Sequence, residues 1–163
     1  MKKEQKFVPK PGQVDFTNMR WAPVINCVVR YKGKILIVQR SKGMRLYPEH
    51  WNGISGFLDD KQGLKAKVIE EIREEIGIPE SSIRSLSLGA VFDENAPKYK
   101  KTWIVHPILV EVDTDTLTLD WEAQNYKWTT CDDALKHKLL PGFEKVLRIL
   151  LKKKRISLEE IEW

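Results

Sequence analysis

The sequence predicts an α+β fold, a mixed sheet with helices packed on its faces, and three observations carry that expectation. Two β-rich runs near the start of the ordered chain are separated by Lys32-Gly33, a strong hairpin signal. In the middle, Leu64, Val68, Ile72 and Ile76 recur at helical spacing. Further strand-like runs then precede a closing helix, so strands and helices do not alternate as a parallel βα fold would require.

Taken in order, the stretch MKKEQKFVPKPGQVDFTNMR is polar and contains Pro9 and Pro11, so residues 1 to about 18 are expected to form a loosely held arm ahead of a single domain spanning 19–163. Residues 23–31 (PVINCVVRY) and 34–40 (KILIVQR) form the hairpin. A loop through SKGMRLYPEH leads to WNGISGF, a short strand or strand end in which Trp51, Ile54 and Phe57 flank glycines. After LDDKQG, the helix runs from about Leu64 to Ile76 and closes on Gly77 as its C-cap. Strands return in IRSLSLGAVF, TWIVHPILVEV and NYKWT, the last after an acidic turn around Asp120 to Glu122. Thr130 with Asp133 reads as an N-cap before DALKH, Gly142 to Lys153 as a second helix, and Ser157 with Glu160 as one more helical turn.

At 163 residues and 42% hydrophobic composition, the chain suffices for one buried core. Its longest apolar runs are too short to span a bilayer and the N-terminus carries none suited to secretion, so a cytoplasmic protein with no membrane partner is expected. Cys27 and Cys131 lie about a hundred residues apart without C-x-x-C spacing and read as reduced thiols. The net charge of +5 is scattered over Lys2-Lys3, Lys98–Lys101, Lys136–Lys138 and Lys152–Arg155, which argues against a nucleic-acid partner. The last cluster ends the apolar run VLRILL, where cations suit the negative end of a helix dipole. A homodimer stays open.

The stretch KVIEEIREEIGI, Lys67 to Ile78, carries the chemistry. On a wheel of about 100° per residue, Glu71, Glu74 and Glu75 share a sector bordering the apolar stripe, while Glu70 and Arg73 point elsewhere. Charges beside a buried stripe repel in a poorly screened setting, so a cation is expected to compensate them. Grouped hard oxygen donors suit Mg²⁺ or Mn²⁺. Gly56, fifteen residues before Glu71 at a strand end, is where a backbone carbonyl could join them.

At these residues the sequence resembles the Nudix hydrolases, whose box reads G-x5-E-x7-R-E-U-x-E-E-x-G-U with U aliphatic. With Gly77 on the final glycine, the register runs without gaps through Gly56, Gln62, Glu70, Glu71, Ile72, Glu74, Glu75, Gly77 and Ile78, and seven of these nine positions match. Gln62 replaces the first glutamate and Glu70 replaces the arginine. Lys67, one turn earlier, is the expected substitute for the missing cation, against an exposed lysine with a weak i,i+4 pair as the plainer reading.

The resemblance implies an α/β/α sandwich over about residues 20–152 and metal-dependent hydrolysis of a diphosphate linkage in a nucleoside diphosphate derivative. It implies Glu71, Glu74 and Glu75 as metal ligands with the Gly56 carbonyl, and Glu122 as a further acid reaching the metals, favoured over Glu94 as general base. Arg40 and Arg45, with Lys42 beside them, are the expected phosphate contacts, and Gln62 and Lys67 the supporting residues. Tyr47, Trp51, Phe92 and Trp103 are candidates for a base-stacking wall, although aromatics in strands more often belong to a core. His50, His106 and His137 fit no zinc spacing, and neither a P-loop nor a G-x-S-x-G elbow is present. A nucleoside triphosphate pyrophosphatase, with oxidised nucleotides as one substrate class, is the leading expectation. A Nudix-fold module that has lost catalysis and binds nucleotide or protein is the alternative, and an RNA 5′-end processing hydrolase a second one.

Overall fold

The computed structural model describes residues 7–152 and 156–157. A long strand β1 (Trp21–Tyr31) turns through Lys32 and Gly33, both at positive φ, into β2 (Lys34–Arg40). Two short strands follow, β3 (Trp51–Asn52) and β4 (Ile54–Phe57), and lead into the helix α1 (Leu64–Ile76). Next come β5 (Ile83–Leu88), β6 (Phe92–Ala96), β7 (Lys101–Val112) and β8 (Ala123–Thr129). The short helix α2 (Cys131–Ala134), the helix α3 (Phe143–Lys152) and the strand β9 (Ile156–Ser157) complete the described chain. One mixed sheet runs β3-β2-β1-β7-β5-β9, with β4 paired to β1, β6 to β7 and β8 to β2. Among the described strands β1 and β7 form the one parallel pair.

The central strands are apolar on both sides because both are covered. Ala22 and Val28 of β1, Ile35 and Ile37 of β2, and Val105 and Leu109 of β7 face α3, whose Phe143, Val146, Leu147 and Leu150 are fully buried. The alternate residues, Ile25, Cys27 and Val29, Leu36 and Val38, and Ile108 and Val110, meet Val68, Ile72 and Ile76 of α1. A period of two in each strand thus feeds two helices of period 3.6. Gly77 ends α1 at φ 67°, donating its N–H to the Arg73 carbonyl at 3.0 Å, and Thr130 Oγ1 caps α2 by accepting from Asp133 N–H at 3.2 Å.

Three expectations need correction. Residues 13–19 are not loose: Gln13 Nε2 donates to Asp59 Oδ2 at 2.8 Å, Phe16 stacks on Phe57, and the buried Lys101 ammonium donates to the carbonyls of Phe16, Thr17 and Met19. A polar sequence is therefore fastened by satisfying a buried cation and a buried acid. IRSLSLGAVF is two strands, broken where the backbone of Gly89 passes α3 so closely that a Cβ would stand 2.5 Å from Ile149 Cγ2. Ser157 lies in β9, antiparallel to Ser87 at the sheet edge, because an open edge offers unpaired backbone groups that a helical turn would leave unused; Glu160 lies outside the described residues. Cys27 and Cys131 form no disulfide. Among the described residues no helix is long and apolar enough to cross a membrane.

Packing of α1 on the sheet predicts that Ile72→Ala, which empties a fully buried site, lowers unfolding free energy in urea by about 3 kcal/mol.

Candidate functional site

The site begins where α1 crosses β4. Gly56 pairs with Ile25 of β1, and the Glu71 carboxylate rests on its backbone. A Cβ at position 56 would stand 2.6 Å from Glu71 Cδ and 2.8 Å from Oε1, so the glycine is required by close approach. One turn on, Glu75 lines one cleft with Glu122. The segment carrying Glu122 is fastened to the end of α1 by Thr118 N–H to the Ile76 carbonyl (3.0 Å) and Asp120 N–H to the Glu75 carbonyl (3.1 Å). Arg40, at the end of β2, joins Glu75, Asp120 and Glu122 around a small cleft floored by Val38 and Gly53–Ser55. Its Nε–H donates to the Leu46 carbonyl at 2.8 Å, and Ser41 N–H donates to the Glu122 carbonyl at 2.8 Å, which brings the strand end to the acid.

These acids are poorly compensated. Burial pushes Glu71 up to about 8; the Lys67 charge opposes this, and Glu122, Glu74 and Glu70 reinforce it. Burial, the hydrogen bond to Glu122 and the charges of Glu122, Glu71 and Asp120 raise Glu75 well above the usual carboxylate range. Burial and the charges of Glu122 and Glu74 also raise Asp120, against a backbone hydrogen bond. Burial lowers Arg40, with Glu122 and Glu75 acting against it. Burial and the neighbouring negative charges thus both favour the protonated forms of these acids.

A second cluster adjoins the first and is built around a cation. Lys67, only 5% exposed, sets its Nζ 3.1 Å from Asp59, 3.2 Å from Asp60, 3.5 Å from Glu70 and 3.8 Å from Glu71. Burial lowers the ammonium's pKa, but the hydrogen bonds to Asp59 and Asp60 and the charges of Asp59 and Glu70 outweigh it, for a net rise. Gln62 Nε2 donates to Asp60 Oδ2 at 2.9 Å and to Glu70 Oε2 at 2.8 Å.

Gly56, Glu71, Glu75, Glu122 and Arg40 are therefore brought together, with Gln62 and Lys67 alongside. Glu70, expected to point away, turns in to Lys67 and Gln62. Glu74, expected to border the core, is exposed, because α1 rolls Glu71 and Glu75 toward the sheet and leaves Glu74 on its rim. Arg45 is exposed and sits in the electrostatic range of Asp15 and Lys101. Lys42 makes a long surface ion pair with Glu49 at 3.9 Å, and Glu94 packs against Gly142.

Trp51, Phe92 and Trp103 are buried on the α3 face of the sheet, as core, and Tyr47 accepts a hydrogen bond from Trp103 Nε1 and meets Tyr99 edge-on. The sequence reading missed Asp59, Asp60 and Asp120 as members of the site. The signal for the first two was the Asp-Asp pair one turn ahead of the helix.

The donor set fits a divalent cation. Every donor is a hard oxygen, and a cation would favour the ionised forms of acids whose burial otherwise favours protonation. Among the described residues no three His, Cys, Asp or Glu side chains stand as a ready-made ion site; Glu71 leans toward Lys67 and Glu75 toward Glu122. Glu71, Glu75 and Glu122, with Glu74 at the rim and the backbone of Gly56, are the groups available to hold one. For Glu71, a carboxylate raised from an ordinary 4.5 to about 8, the folded state retains a proton that the unfolded chain releases. Its stabilising share is complete below about 4.5 and is lost as pH rises through about 8. The melting temperature of the metal-free protein should accordingly fall as pH is raised from about 6 to 9, and Glu75→Gln should flatten that fall; a calorimetric pH series checks both.

The NUDIX domain pattern matches residues 19–150. A Nudix hydrolase from Nitrosomonas europaea superposes with a TM-score of 0.70 at 15% identity, covering 88% of this chain and 97% of the other. A MutT protein from Methanosarcina mazei Go1 gives 0.65 at 19% identity, covering 80% and 93%. An Ap4A hydrolase from C. elegans gives 0.63 at 24% identity, covering 78% and 93%. A comparison with curated proteins returned no match. The strand–glycine–helix unit that brings Gly56 to Glu71, within a domain matched across most of its length, makes this chain a member of the Nudix family of pyrophosphohydrolases.

Proposed function

We infer that the protein hydrolyses a phosphoanhydride bond of a nucleoside polyphosphate, with Mg²⁺ or Mn²⁺ held by Glu71, Glu74, Glu75 and Glu122 beside Gly56. The observation that carries this reading is the Glu71 carboxylate lying on a backbone that only glycine permits, with Glu75, Asp120 and Glu122 lining the adjoining cleft. A divalent cation, when bound, neutralises phosphate oxygens and acidifies a water ligand. The chain supplies the rest. Glu122, on one cleft wall with Glu75, takes the proton of the attacking water and becomes a neutral carboxylic acid. Arg40, oriented through the Leu46 carbonyl, presents its remaining guanidinium nitrogens to phosphate oxygens. Arg45 on the following loop is a second phosphate contact.

Within the class, a nucleoside triphosphate pyrophosphatase, with oxidised nucleotides among its substrates, is the leading reading, and the fold likeness to a MutT protein is in keeping with it. Dinucleoside polyphosphates come next, after the Ap4A hydrolase of similar fold. A second reading, a nucleotide-binding module without turnover, is favoured by Gln62 and Glu70, which depart from the family's charge pattern.

Release of phosphate or pyrophosphate is to be measured over a panel of ordinary and oxidised nucleoside triphosphates, ADP-ribose and diadenosine tetraphosphate, with Mg²⁺ or Mn²⁺ and with chelator. Metal-dependent turnover of at least one triphosphate is expected. Silence across the panel, together with tight binding in chelator, would establish the binding module instead. Glu122→Gln should lower kcat about 100-fold. Gly56→Ala, which displaces the Glu71 carboxylate, should lower kcat by about 100-fold as well, while circular dichroism reports an intact fold.

A further inference from the structure

We propose that Lys67 is the positioning residue of this site: its buried ammonium ties the Asp59–Asp60 loop to α1 and holds the Glu71 carboxylate against Gly56, in place of the cation that the box pattern puts at residue 70. The inference rests on the reading of Glu71, Glu75 and Glu122 as a cation-binding cluster and deepens it. The direct contact between Gln62 and Glu70 shows that the two departing box positions are neighbours in this fold. A glutamate and an arginine there would bring a positive charge beside Glu71. Here the pair is neutral and acidic, and the positive charge stands one turn earlier.

Lys67 is equipped for the task in a way an exposed lysine is not. Its seat is built from both sides. Asp59, itself buried, accepts from Lys67 Nζ at one carboxylate oxygen and from Gln13 Nε2 at the other, while the Asp59 carbonyl accepts from Val14 N–H. The N-terminal segment thereby anchors the acid that anchors the lysine. Nζ lies 3.1 Å from Asp59 but 3.8 Å from Glu71, so the loop acids take its hydrogen bonds and Glu71 receives its charge without being tied up by it. Removing the cation would leave Asp59, Asp60, Glu70 and Glu71 mutually repelling in a poorly solvated space.

The test exchanges the two arrangements. The triple variant Gln62→Glu, Glu70→Arg, Lys67→Ala carries the same number of charges of each sign in the cluster as the natural sequence, with the cation moved to residue 70. Mn²⁺ binding, read by electron paramagnetic resonance without substrate, and the separate kcat and KM values are measured for the natural protein, Lys67→Met and the triple variant. Lys67→Met is expected to weaken Mn²⁺ about 10-fold and to lower kcat with KM nearly unchanged, and the triple variant to recover both to within about 3-fold.

Unchanged Mn²⁺ affinity and kcat in Lys67→Met, or a folded triple variant no better than Lys67→Met, would overturn the proposal. Should Lys67→Met fail to fold, Lys67→Ala is compared within the Gln62→Glu, Glu70→Arg background. There a loss of less than about 3-fold supports the proposal and one of about 10-fold overturns it. A natural protein that binds no Mn²⁺ would remove the cation site and this inference with it, whereas one that binds Mn²⁺ while its variants are indifferent removes only the role of Lys67.

Discussion

The close approach of a carboxylate to a strand backbone is the constraint on which the rest of this structure depends. The Glu71 carboxyl carbon lies 2.6 Å from where a Cβ at position 56 would stand, so any side chain there would push the carboxylate off the strand. That proximity needs three things together. Position 56 carries no side chain, Val68, Ile72 and Ile76 draw the helix down by burying completely against the sheet, and some positive charge keeps the acids from pushing it away again. Loss of any one would lift the helix and dissolve the site without necessarily unfolding the α3 half of the core.

The two adjoining acid clusters are handled oppositely. Around Lys67, four carboxylates surround one ammonium, and Gln62 satisfies part of the remainder, so that cluster serves as structure. Around Glu75, burial and neighbouring acids raise the carboxyls, and among the described residues lining the cleft Arg40 is the one cation. Acids whose burial favours the protonated form stabilise the fold less as pH rises, and such perturbed groups gather at functional sites. The cluster around Glu75 is thus the one proposed for chemistry, and the cluster around Lys67 adjoins it.

Much of this was legible along the chain because the relevant signals are local. The helix from Leu64 to Ile76 and its Gly77 stop follow from spacing and from a left-handed backbone position. The Lys32-Gly33 turn follows from the same preference. What escaped were partnerships between distant segments. A wheel places Glu74 with Glu71 and Glu75, yet only the position of the sheet decides which of the three is covered. Trp51, Phe92 and Trp103 could have walled a nucleotide pocket by residue type, but α3 packs on them. The segment from Gln13 to Met19 has the composition of a loose arm. Its order comes from Lys101 and Asp59, far away in sequence.

The sequence by itself determined the α+β class, the helix, the box register and the identity of its two departures, since each depends on residue type at short fixed spacing. The tertiary structure alone decided that residues 62 and 70 touch, that Lys67 is buried between the loop acids and Glu71, and that Glu122 meets Glu75 at the cleft. Charge works over distance and through burial, and neither is encoded in spacing. A lysine worth a few tenths of a kcal/mol on an exposed helix face becomes the centre of a site only when the fold closes around it.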